Sequence, residues 1–182
     1  MSSKENRTQH LIQEYLLDEE ALRKKIKNPK LQFGYEFIFP PGKDPMGRPI
    51  GKMMAVYQPK GKDLIIISLG TQISKPHIDA LNSLDQERKF GFFIELRKFF
   101  LLKDVYFRID VQNFRYEISD QIFLNSNGSI SKNSFYNAVR KVFNAAAYSN
   151  MILGDYCSGK VKPEDFSKDK DFSSGTDFTL YS

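Results

Sequence analysis

The sequence predicts an α+β domain built on one mostly antiparallel sheet, and three observations predict it. Hydrophobic spacing switches between helical periodicity and two-residue alternation near residues 31, 74, 105 and 131. Connections between the alternating segments are short and rich in Pro, Gly, Asn and Asp, which suits hairpins better than crossovers. Sixteen Phe and no Trp supply a Phe-rich core in a chain of 182 residues, long enough to need no covalent staple.

The first element is predicted as a helix over residues 4–27, where Leu11, Ile12, Tyr15, Leu16, Leu22 and Ile26 mark one apolar stripe. Acidic Asp18, Glu19 and Glu20 precede the basic group that starts at Arg23, so a break near Asp18 is expected, with the second half a helix of its own. Asn28-Pro29 closes it. Alternation from Leu31 to Phe39 gives a half-buried strand. A Pro/Gly loop over 40–51 leads to a second strand, 52–58, and a turn over 59–63 leads to a third. That third strand, 64–69, is apolar on both faces apart from Ser68, which predicts a central strand covered on both sides or one buried against a large helix.

Ser74 with Pro76 starts a helix predicted to run to Leu102, and nine of its thirteen residues from Phe90 onward are apolar. A fourth strand comes next, with Val105, Phe107, Ile109 and Val111 facing inward, and a fifth over 114–124. Asp120 is the odd entrant on the apolar side of the fifth, which suggests a sheet-edge residue or a bulge that turns it to solvent. Ser131 caps the last helix, and Gly154 is expected to end it. The order is α-βββ-α-ββ-α, with five strands and three main helices in a single domain over 1–157. A loosely packed acidic-aromatic tail over 158–182 completes the chain.

That order, the Pro/Gly loop and the entry Ile73-Ser74-Lys75-Pro76-His77 resemble the fold of type III secretion chaperones. They also resemble a family of uncharacterised archaeal domains of unknown function. The likeness spans about residues 4–154. It implies a homodimer that holds a partner segment on its surface, and it supplies no catalytic residue.

Composition narrows the chemistry. One cysteine, Cys157, can form neither an internal disulfide nor a Cys-based zinc site. A polar N-terminus and the lack of any apolar run near the ~20 residues of a membrane span predict a cytoplasmic protein. His10 and His77 have no second nitrogen at helical spacing, so no metal, no cofactor and no catalytic centre are expected. Asp110, Glu117 and Asp120 are the remaining acid–base candidates, with ordinary surface roles expected for each.

The net charge of +5 is concentrated, since residues 23–62 hold ten basic and two acidic groups. Arg23, Lys24, Lys25, Lys27, Lys30, Lys60 and Lys62 form a candidate nucleic-acid patch, with Tyr57 as a stacking ring. The apolar half of the long helix reads either as core between the sheet and another helix or, in preference, as a dimer contact through Phe92, Phe93, Leu96, Phe99 and Phe100. In the tail, Asp165-Phe166, Asp171-Phe172 and Asp177-Phe178 repeat every six residues, each followed by Ser or Thr, as anchors for a protein partner. The expected role is a non-enzymatic protein- or peptide-binding module of adaptor or chaperone-like type, with nucleic-acid binding as the alternative.

Overall fold

In the computed structural model, residues 2–48 and 50–159 are described, with side chains from Arg7 onward. The tail anchors at 165–178 lie outside the described residues. The chain forms α1 (Ser2–Asp18), β1 (Leu22–Lys25), β2 (Leu31–Phe39), β3 (Lys52–Pro59) and β4 (Leu64–Gln72). It continues through α2 (Lys75–Ser83), α3 (Gln86–Leu102), β5 (Tyr106–Asp110), β6 (Arg115–Phe123) and α4 (Lys132–Cys157). Six strands lie in the order β1-β2-β3-β4-β6-β5, and every neighbouring pair is antiparallel.

The described residues thus hold one more strand and one more helix than the sequence predicts, each for a local reason. The break near Asp18 is present, but it leads into an edge strand instead of a second helix. Glu20 turns the chain at φ 51, and residues 22–25 then pair with β2. Available ladder bonds outweighed weak helical periodicity in a segment of few apolar residues. The long middle helix is two helices, because Asp85 accepts a hydrogen bond from the Arg88 N–H and caps a new start. Ser131 caps α4 as expected, accepting from the Ser134 N–H. Gly154 does not end that helix. The left-handed turn falls at Gly159, φ 71, just past Cys157 and Ser158.

One side of the sheet carries the helices. Phe37 packs its ring on Phe135, Phe39 on Tyr136 and Phe143, and Phe100 on Phe107 and Tyr116. Hydrogen bonds tie α1 to the loop before α4: Thr8 donates to the Gly128 carbonyl at 2.7 Å, and Tyr15 to that of Ile130 at 2.8 Å. Tyr136 returns one to the Tyr15 carbonyl, and burial, then the nearby Glu19 carboxylate, pushes its hydroxyl up to about 12. The inward Asp120 is no bulge. It stays in phase, mostly buried, with its carboxylate 3.4 Å from Lys141 of α4.

Candidate binding surfaces

Side chains alternate across a strand, so the register fixes what the second face of the sheet presents. Across that face run Glu36, Ala55, Ser68, Ser119 and Tyr106 in one row. Beside it run Gly34, Tyr57, Ile66 and Gln121, and beyond them Leu64 and Phe123 are paired. Gly34 lets Ile26 and Leu31 close over it, since a Cβ there would meet both within 3.3 Å.

Among the described residues no helix covers this face. Phe123 is 72% exposed, Tyr106 55% and Met53 49%, while Ala55, Tyr57, Leu64 and Ile66 are half-buried. Of the two readings of β4, burial against helices on one side is the one present, and cover on both sides is not. Tyr57 has its hydroxyl pushed up, first by burial and then by the Glu117 charge, which marks the middle of the face as partly dry.

At one end of the face a cleft of about 450 Å³ is lined by Gly70, Arg108, Asp110, Arg115 and Glu117 among others. Its charges stand in opposite-sign neighbours. Arg108 is the cross-strand partner of Glu117, and Arg115 Nε lies 3.0 Å from Asp110. Hydrogen bonds from Asn113, helped by Arg115, hold the Asp110 carboxyl below the usual carboxylate range. An acid so held is a poor proton donor at neutral pH. Sequence reading missed both arginines, although their alternation on adjacent strands was visible.

Of the catalytic candidates, Asp110 and Glu117 both line this cleft, each beside an arginine, while the others lie apart. Glu117 lies on the open face and Asp120 on the helical one. His10 is exposed on α1, and His77 is exposed on α2 with Nδ1 2.9 Å from Ser74 Oγ. Burial raises the Cys157 thiol, whose Sγ lies 3.7 Å from the His77 carbonyl oxygen, a setting that disfavours a thiolate. Among the described residues no three His, Cys, Asp or Glu side chains form a group that could hold a metal ion, and no helix is long and apolar enough to cross a membrane.

The five residues expected at a dimer contact are core. Phe92, Leu96 and Phe100 are 0% exposed, Phe99 2% and Phe93 5%. They fill the space between α3, α4 and the sheet, so they have no surface to offer a second copy. The outer side of α3 carries Phe90, Ile94, Leu101 and Leu102 instead, all more than half exposed.

The basic stretch, in contrast, is gathered. Arg23, Lys24 and Lys25 lie on the edge strand β1, and the backbone of Lys60 bonds that of Lys30 at 3.0 Å, which brings the two turns together. Within it Lys24 pairs with Glu36 at 3.2 Å, and Arg23 folds back onto the carbonyls of Glu20 and Leu22. Charges on a short edge strand also deter pairing with another chain.

A family model described as an uncharacterized conserved protein (DUF2299) matches residues 8–153. The chain is also similar to the crystal structure of an uncharacterized protein from Methanothermobacter thermautotrophicus. The two share 23% identity and a TM-score of 0.70 over 81% of this chain and 97% of that one, a likeness of fold. No curated protein matches.

Proposed function

Because the chain belongs to that family of uncharacterised conserved proteins, whose description carries no activity, we propose from its geometry that it is a non-enzymatic protein-binding module. Its polypeptide partner docks on the bare face of the sheet. The exposure of Phe123, Tyr106 and Met53 beside the half-buried Leu64, Ile66 and Tyr57 carries this reading. Water is a poor neighbour for both faces of an apolar central strand, and contiguous exposed apolar surface marks interaction sites. The resemblance to secretion chaperones rests on an element order that the structure revises, so it lends this reading no weight.

The test is affinity purification of the full chain from its native cells, beside a Met53→Glu, Phe123→Glu double variant. The expected result is a stoichiometric partner present with the first and lost with the second. Both side chains are exposed, so the unfolding free energy should change by only about 0.5 kcal/mol per site. Partners retained unchanged by the charged variant would reject the sheet face as the docking surface.

Nucleic-acid binding is the second reading, favoured by the gathering of Lys30 and Lys60 beside the basic edge. If about four phosphates are neutralised there, affinity for duplex DNA should fall about 100-fold between 50 and 200 mM salt. Electrophoretic shift titrations at several salt concentrations check this. Binding that ignores salt, or no binding at the lowest salt, removes the reading.

A further inference from the structure

We infer that a second copy of this chain docks along the outer stripe of α3, antiparallel, with Phe90 against the second copy's Ile94 and Glu87 against its Arg97. The inward side of α3 is spent on the core: Phe92, Phe93, Leu96, Phe99 and Phe100 are all buried. Facing away from them, Glu87, Phe90, Ile94, Arg97 and Leu101 recur at steps of three and four residues. That spacing makes a single seam along a helix, of the kind two helices share when they lie side by side. Phe90 is 56% exposed, Ile94 53% and Leu101 66%. Neither Glu87 nor Arg97 makes an ion pair or side-chain hydrogen bond with another described residue, so both charges are free to pair across an interface.

Symmetry and charge choose the occupant and the register. A two-fold contact must be self-complementary, so whatever the seam offers at one end it must accept at the other. The α3 seam is acidic at its start, with Glu87, and basic further on, with Arg97. Antiparallel pairing sets each sign against its opposite and opposes the two helix dipoles. Several registers would bring apolar seam positions together, and two of them set Phe90 against a different seam residue. One sets Phe90 on Ile94 and Glu87 on Arg97, each twice by symmetry. The other sets Phe90 on Leu101, but it lays Arg97 on Ile94 and Glu87 near Asp104, a like charge. The first gives Glu87, Phe90, Ile94 and Arg97 each a complementary partner and leaves Leu101 beyond the start of the second copy's α3. A seam one helix wide is small beside the ~1,200 Å² of a standard interface, so a weak dimer is expected.

This inference does not depend on the sheet-face reading, and its test keeps the two apart. Sedimentation equilibrium of the full chain at about 100 micromolar should give twice the 21.1 kDa of one copy. Ile94→Glu should raise the dissociation constant at least about 30-fold, and because Ile94 is exposed the fold should remain intact by circular dichroism. Glu87→Arg and Arg97→Glu should each weaken the dimer, and the double reversal should restore it. The Met53→Glu, Phe123→Glu variant should dimerise like the wild type. A wild-type chain that stays monomeric at that concentration overturns the inference, as does a dimer that survives Ile94→Glu. Indifference to the charge reversals overturns the assigned pairing.

Discussion

Replacing Phe100 with alanine should lower the unfolding free energy by about 3–5 kcal/mol and the melting temperature by on the order of 10 °C. The ring is fully buried, with centroids 5.6 Å from Phe99, 5.5 Å from Phe107 and 5.8 Å from Tyr116. It is the side chain that locks α3 onto β5 and β6 at once. Truncation leaves a cavity that three rings from different elements cannot close together, which puts the cost at the upper end for such changes. Tyr116 has little room to follow. Its hydroxyl is 2.7 Å from Ser149 Oγ, and Ser149 donates to the Ala146 carbonyl at 2.8 Å, so Tyr116 is the donor of that pair. Denaturant unfolding at two protein concentrations separates core from interface, because a core loss is the same at both, whereas a lost dimer contact is not. A drop below about 1 kcal/mol would mean that Phe100 is not the brace its packing describes.

The contrast between Phe100 and Ile94 shows where sequence reading of α3 reached its limit. The run from Phe90 to Leu102 was legible as a helix apolar around most of its circumference, but not which side met the core. Assigning the densest Phe cluster to a partner inverted the two sides, since a domain fills its own interior first. Long strands read well: β2 begins and ends where the alternation does, and β3 and β4 begin where expected. Strand β1 did not, because four residues with three charges carry no pattern of their own, and pairing with β2 alone defines them. The split at Asp85 was legible in principle, since a capping Asp followed by Glu87 in the first turn is a helix-start signal.

The candidate surfaces were harder to read than the fold. Alternation told that β4 was apolar on both faces, yet only the sheet order shows that the helices gather on one of them. Arg108 and Glu117 are nine positions apart in sequence and opposite one another in space. Their cleft therefore depends on the β5–β6 register, which the turn at Phe114 (φ 49) sets and composition does not.

Gly51→Ala should cost about 3 kcal/mol of stability, a large effect for one methyl group on a half-buried residue. No left-handed backbone is involved here; the reason is close approach. A Cβ on Gly51 would overlap the Pro40 carbonyl oxygen and stand 2.6 Å from Ile38 Cγ2 and 2.7 Å from the Phe39 carbonyl carbon. Two of those three atoms are backbone, so no flexible side-chain end can swing aside. The strands on either side are already pinned, with Phe39 opposite Lys52 in the β2–β3 ladder. Relief must then come from opening the first rung of that ladder, which moves Met53, the neighbouring residue on the open face. Gly70→Ala is the control: a Cβ there meets nothing within 4 Å, and loss of glycine's backbone freedom in a strand should leave stability unchanged or raise it by about 0.5 kcal/mol. Paired denaturation curves check the difference. Equal effects at the two glycines would show that the β2–β3 loop can shift as a unit, and that the position of Met53 is not set by the closure at Gly51.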